Sequence, residues 1–178
     1  MNLPNKLTML RIFLVPVFVF LLLSQVFGDT TKWIALAIFC VACLTDFLDG
    51  KIARKYNLIT DFGKFMDPLA DKLLVCSALI CFIDLGLIPS WFVVIVIARE
   101  FVVSGLRLIA VDNGIVIAAS WWGKFKTAFQ MALIILLLIN LEELKVVTTV
   151  IFWITLALTI VSMVDYLWKN RSVVNQTK

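Results

Sequence analysis

Four carboxylates stand where so apolar a chain should carry none. Asp46 and Asp49 are three residues apart and Asp67 and Asp71 are four apart, so each pair shares one face of a helix. If the first pair sits near the foot of one membrane helix and the second near the foot of the next, Asp46 lies about seven residues, or about 10 Å, from its helix end. Asp71 lies a similar distance into the following helix, and all four acids can meet at one depth. Each alone would be costly in a bilayer, and four together would repel one another. One divalent cation, or a pair, resolves both problems.

An all-oxygen donor set, with no histidine and no committed cysteine, favours Mg2+ or Mn2+ over zinc. Lys51, Arg54, Lys55 and Lys64 ring the same region. Metal-binding carboxylates with a basic rim, in a cavity open to the cytoplasm, suit a diphosphate compound with a lipid tail. The competing reading has these acids pairing with basic neighbours merely to join helices, Arg54 serving Asp49 or Asp67 while Lys72 snorkels to the surface. Four acids at one depth exceed that need. Gly50, Ala53 and Gly63 suit close helix packing, and small residues also admit a nucleotide.

Zero histidines exclude a Ser-His-Asp triad, His-ligated zinc and a His-Lys-Asp phosphodiesterase chemistry. Cys40, Cys43, Cys76 and Cys81 all fall in apolar runs, and Cys40-x-x-Cys43 has no second nearby pair to complete a zinc site. They read as small buried apolar side chains.

Of the 178 residues, 62% are hydrophobic and 16% charged, and the mean hydropathy is +1.04. A soluble globule is nearly excluded. Six membrane helices of about 20 residues need about 120 residues, which leaves almost nothing for a separate soluble domain. The apolar runs place spans near 9–27, 32–53, 64–84, 90–111, 121–141 and 147–168. The expected fold is therefore an all-α integral membrane protein, one six-helix domain over residues 1–178.

The first run follows Lys6 and Arg11 but lacks a small-x-small cleavage site, so it reads as a retained helix rather than a signal peptide. Pro16 is expected to bend it, Pro89 to start the fourth helix, and Pro68 to start the third or kink its first turn. Of 16 basic residues, only Lys32 and Lys145 lie near the breaks after the first and fifth helices, and none lies in the break after the third. Both termini should then face the cytoplasm. Trp33 and Trp91 fall near the outer interface and Trp121, Trp122 and Trp168 near the inner one, as an aromatic belt requires. The net charge of +4 fits anionic headgroups, and no nucleic-acid motif is present.

Residues 46–71 read DFLDGKIARKYNLITDFGKFMDPLAD. This stretch resembles the signature of the CDP-alcohol phosphotransferase family, D-x2-D-G-x2-A-R-x8-G-x3-D-x3-D. All eight fixed letters occur at the family spacing: Asp46, Asp49, Gly50, Ala53, Arg54, Gly63, Asp67 and Asp71. The resemblance implies a six-helix membrane fold over essentially the whole chain and a two-metal centre held by Asp46, Asp49, Asp67 and Asp71. It implies that Asp71 also takes the proton from an acceptor alcohol, and that Asp49, Gly50, Ala53, Arg54, Thr60 and Gly63 surround the cytidine diphosphate. Asn5 and Thr8 would join them, since Pro4-Asn5-Lys6-Leu7-Thr8 resembles the family's amino-terminal Asn-x-x-Thr element. A homodimer is also implied.

The signature leaves the acceptor open among glycerol phosphate, inositol or its phosphate, serine, phosphatidylglycerol and aminoalcohols. Arg99 and Arg107 lie eight residues apart and roughly on one face of the fourth helix, and Lys124, Lys126 and Thr127 open the fifth. A phosphate-bearing acceptor would account for these cations. Lys124 and Lys126 also fit as positive-inside anchors, and Arg99 could pair with an intramembrane acid, with Glu100 expected to point elsewhere as its sequence neighbour.

Residues 98–107 and 123–130 are similar to stretches in bacterial family members that make phosphatidylglycerophosphate. That resemblance implies CDP-diacylglycerol and sn-glycerol 3-phosphate as substrates of a metal-dependent phosphatidyltransferase in a bacterial plasma membrane, its active site facing the cytoplasm. The alternatives are an inositol-phosphate or cardiolipin-forming relative, an aspartate-rich membrane prenyltransferase and a divalent-cation transporter. The prenyltransferase lacks the Asp-Gly-x2-Ala-Arg continuation, and a basic rim would repel a transporter's cations.

Overall fold

The computed structural model describes residues 3–24, 26–55, 61–112, 114, 117–118 and 120–171, and the side chains of residues 3–4, 46–55, 61–65, 67–68, 71 and 112 lie outside that description. The described residues form six helices and no strand: α1 (Leu3–Ser24), α2 (Thr31–Lys55), α3 (Asp61–Asp84), α4 (Ser90–Asp112), α5 (Trp121–Ile139) and α6 (Lys145–Lys169). Short 3₁₀ turns at Gly28–Thr30 and Glu142–Leu144 precede α2 and α6. At 19 to 25 residues each, the helices are about 28 to 38 Å long, enough to cross a hydrocarbon core of about 30 Å. Among the described residues four stretches are long and apolar enough to cross a membrane: Asn5–Ser24, Gly28–Thr45, Trp121–Ile139 and Glu142–Lys169.

The first helix departs most from the expected spans. It starts at Leu3 rather than near residue 9 and takes in Asn5 and Thr8, because these polar residues fall on its buried face. It ends at Ser24, before Gly28 takes the left-handed φ of +56° that the turn into α2 needs. α1 runs through Pro16, and α3 begins at Asp61, so Pro68 does not start that helix. Pro89 immediately precedes α4, as expected. All four cysteines are free thiols, but Cys40 is exposed and only Cys81 is fully buried. An outward-facing cysteine on a helix bathed in lipid is as comfortable as an inward one, which is why an apolar run does not reveal burial.

Close contacts divide the chain into two compact units, Met1–Ile88 and Pro89–Lys178. In the first, α1 packs against both α2 and α3. Its buried face is Asn5, Thr8, Arg11, Val15, Phe18 and Leu22, at the three-and-four spacing of a helix. α2 presents Thr31, Ala35, Phe39 and Ala42, and α3 presents Ala70, Leu74, Ala78 and Phe82. The alanines let the backbones approach closely, as membrane helices require where no water drives them together.

Phe18 fills the joint, its ring centroid 6.1 Å from that of Phe39. With lipid outside, Phe18→Ala forfeits packing rather than transfer from water. Some 100 Å³ of lost side chain at about 24 cal/mol per Å³ is about 2 kcal/mol. Thermal unfolding in detergent should show a midpoint lowered by several degrees, and an unchanged midpoint would mean that the joint closes over the gap.

In the second unit α6 packs against α4 and α5. Its buried residues all carry hydroxyls: Thr155, Thr159, Ser162 and Tyr166. Thr155 and Thr159 donate to carbonyls four residues back, both at 2.7 Å, and Ser162 donates to Thr159 O at 3.1 Å. Trp153, Ile160, Val161, Val164 and Trp168 point outward instead. This inverts the amphipathicity of a soluble protein and suits a helix whose outer face meets hydrocarbon. α5 starts from Ser120, whose Oγ accepts from Gly123 N at 3.1 Å, and ends at Asn140 in the left-handed region.

Candidate active site

Asp46 and Asp49 lie on α2, and Asp67 and Asp71 on α3, as their spacing predicts. Both helices run further toward their connection than expected, α2 to Lys55 and α3 from Asp61. Asp46 is therefore about 14 Å from the end of α2 and Asp71 about 15 Å from the start of α3. The extensions are two and three residues, so the two distances from the helix ends differ by one residue, about 1.5 Å. The two helices pack against each other within the first unit.

Helical register adds a second constraint. Residues 46, 49, 50 and 53 continue the stripe occupied upstream by the buried Ala35, Phe39 and Ala42. Residues 63, 67 and 71 continue the α3 stripe of Ala70, Leu74 and Ala78. The side chains of Asp46, Asp49, Gly50, Ala53, Arg54, Gly63, Asp67 and Asp71, and Thr60 altogether, lie outside the described residues. Among the described residues no group of three or more His, Cys, Asp or Glu could hold a metal. The four aspartates supply the oxygen-only donor chemistry that a hard divalent cation takes.

α1 brings Asn5 and Thr8 to its buried face and adds a third polar residue there, Arg11, only 1% exposed. Along the sequence Arg11 reads as a charge ahead of an apolar run. Its position three residues after Thr8, on the same face, is the signal that marks it out. A charged side chain enclosed in a membrane helix bundle is a candidate site residue by default.

The second unit holds a buried polar network among α4, α5 and α6. Arg99 is 7% exposed and Lys126 2%, and both reach the carboxylate of Glu100. Arg99 Nη1 donates to Glu100 Oε1 at 3.1 Å and Lys126 Nζ donates to the same oxygen. Glu100 therefore does not point away from Arg99. Neighbouring positions on a helix diverge at Cβ, but the long arginine stem swings round to a carboxylate that Lys126 holds from α5.

Arg99 Nε also donates to Ser162 Oγ at 3.2 Å. A Cβ added at Gly123 would stand 3.3 Å from Arg99 Nη2, so the glycine leaves space for the guanidinium.

The remaining expected acceptor residues are arranged differently. Arg107 Nε donates to Tyr166 OH at 3.2 Å, with the guanidinium carbon 5.7 Å from the Tyr166 ring centroid. Lys124 is exposed, its ammonium 4.7 Å from the Trp121 ring centroid. Thr127 is exposed, and its hydroxyl donates to Gly123 O at 3.0 Å. The structure thus joins Arg99 and Lys126 through one carboxylate, ties Arg107 to α6, and leaves Lys124 and Thr127 on the outer surface of α5. Ser162, Tyr166 and the bridging role of Glu100 escaped sequence reasoning. Hydroxyls in an apolar helix are common, and nothing along the chain says which of them meets a cation.

Comparison with known proteins bears on both units. The family model described as CDP-alcohol phosphatidyltransferase matches residues 1–161. A Bacillus subtilis (strain 168) protein named CDP-diacylglycerol--glycerol-3-phosphate 3-phosphatidyltransferase is 41% identical over 183 residues, covering 95% of each chain. A Mycobacterium tuberculosis (strain H37Rv) protein named probable phosphatidylglycerophosphate synthase is 44% identical over 170 residues, covering 93% of this chain and 79% of its own. A Rickettsia typhi protein with the same name as the Bacillus one is 38% identical over 170 residues, covering 93% of this chain and 94% of its own.

Proposed function

The chain belongs to the CDP-alcohol phosphatidyltransferase family, and we propose that it transfers the phosphatidyl group of CDP-diacylglycerol to sn-glycerol 3-phosphate, giving phosphatidylglycerophosphate and CMP. The observation that carries this reading is the complete eight-residue motif with its four aspartates on α2 and α3, in a chain 41% identical to a relative named for that reaction.

The primary hydroxyl of glycerol 3-phosphate attacks the phosphorus that bears the diacylglycerol. A P–O bond forms to the acceptor, the P–O bond to CMP breaks, and the acceptor proton passes to the Asp71 carboxylate. Asp71 is a weak base for an alcohol and accepts that proton only as the new bond forms. One or two Mg2+ or Mn2+ ions, held by Asp46, Asp49, Asp67 and Asp71, would supply charge neutralisation on the diphosphate. Arg54 stabilises the departing CMP phosphate, where negative charge grows. Asp49, Gly50, Ala53, Thr60 and Gly63, with Asn5 and Thr8 from α1, enclose the nucleotide.

Arg99, Arg107, Lys124, Lys126 and Thr127 form the acceptor-phosphate side. Arg107 makes the direct approach, while Arg99 and Lys126, drawn together on Glu100, set the charge behind it. All six helices cross a bacterial plasma membrane as one catalytic domain, with both termini and the active site on the cytoplasmic side. The lipid donor enters sideways from the bilayer, and the working form is a homodimer.

Purified protein in detergent, given CDP-diacylglycerol and Mg2+ or Mn2+, should release CMP with glycerol 3-phosphate and not with serine, inositol, inositol phosphate or phosphatidylglycerol. Release with a different acceptor would keep the transfer chemistry and overturn the reading of the α4–α5 cations. No release with any acceptor would remove the synthase reading and make cation transport the next assay.

A further inference from the structure

α6 carries two hydroxyls four residues apart on its buried face, Ser162 and Tyr166, and each accepts from the Nε of one α4 arginine at 3.2 Å. A guanidinium has five donors in a rigid plane. Fixing Nε, the donor nearest the stem, sets that plane while leaving the two Nη groups, which make the forked grip on a carboxylate or phosphate. In Arg99 the fork is already engaged, Nη1 reaching the Glu100 carboxylate. In Arg107 it is not: among the described residues its partners are the Tyr166 hydroxyl and the Tyr166 ring. Tyr166 itself is 2% exposed and packs with Val103 and Leu106 of α4, so its hydroxyl cannot follow Arg107 through alternative rotamers.

We infer that Tyr166 is a positioning residue that aims the fork of Arg107 at the acceptor's phosphate. This rests on the reading of Arg107 as an acceptor-phosphate ligand. The hydroxyl anchors Nε and the ring lies against the guanidinium, so the bidentate geometry exists before the acceptor arrives and less side-chain freedom is lost on binding. Arginine rather than lysine suits position 107, because the three donors of an ammonium sit on one nitrogen, so anchoring one of them does not aim a planar fork at the ligand.

The test is steady-state kinetics of the whole protein in detergent micelles, with CDP-diacylglycerol saturating and glycerol 3-phosphate varied. Tyr166→Phe should raise the KM for glycerol 3-phosphate about tenfold, with kcat and the KM for CDP-diacylglycerol within about twofold of the parent. Arg107→Gln should raise the same KM further. In an Arg107→Lys background, Tyr166→Phe should add nothing, since the Nε donor is already gone.

If Arg107→Gln leaves the KM for glycerol 3-phosphate unchanged, the acceptor reading of Arg107 falls, and this inference with it. If Arg107→Gln raises it but Tyr166→Phe does not, the acceptor reading stands and the positioning role is wrong. A Tyr166→Phe effect confined to kcat and thermal midpoint, or one that persists undiminished beside Arg107→Lys, also overturns the inference, because a purely structural tyrosine behaves that way.

Discussion

Replacing Asp71 with asparagine is expected to lower CMP release by about a thousandfold, the range of a lost general base. Asparagine keeps the size and one oxygen of the carboxylate but removes its charge and its ability to take a proton. The position lies on the α3 stripe that continues Leu74 and Ala78, so the packing of that helix should survive. Assaying the variant over a range of Mg2+ or Mn2+ concentrations separates the two roles given to Asp71. A residue that only binds metal gives a variant whose rate recovers at high metal concentration. A residue that is also the base leaves kcat low however much metal is added, which is the expected outcome. Full activity in Asp71→Asn would show that the proton leaves by another route.

Glu100→Gln should have the largest effect on stability, because it strips the shared counter-charge from Arg99 and Lys126, respectively 7% and 2% exposed. Breaking a buried ion pair from one side typically costs about 3–5 kcal/mol, since the remaining charge keeps its desolvation penalty and loses its compensation. Here one carboxylate oxygen serves two cations. The thermal midpoint in detergent should drop sharply, and Glu100→Gln combined with Lys126→Met should recover part of the loss by removing a stranded charge. A single variant as stable as the parent would mean that water or another acid can replace Glu100, and the double variant would then show no recovery.

The resemblance of residues 46–71 to a family signature and the positions of six helices were both legible along the chain, and for the same reason. A span of apolar residues and a set of acids at fixed spacing are local properties. The start of α1 was misplaced because Asn5, Thr8 and Arg11 interrupt the apolar run, while on the folded helix they belong to the enclosed face. The pairing of Arg99 with Glu100 was misjudged because sequence adjacency speaks of backbone direction, and the position of Lys126 on another helix is what holds the carboxylate in reach.

The division between the two sources of information follows from the solvent. By itself the sequence determined that the chain is helical and apolar enough for a membrane, where four aspartates share two helix faces, and that no histidine chemistry is available. Only the tertiary structure decided which faces turn inward. In water, apolarity marks the inner face; against lipid it marks neither, and α6 buries Thr155, Thr159, Ser162 and Tyr166 while Trp153 and Trp168 face out. The hydroxyl partners of Arg99 and Arg107 were decided there too, since they come from residues 63 and 59 positions away that share no local pattern with them.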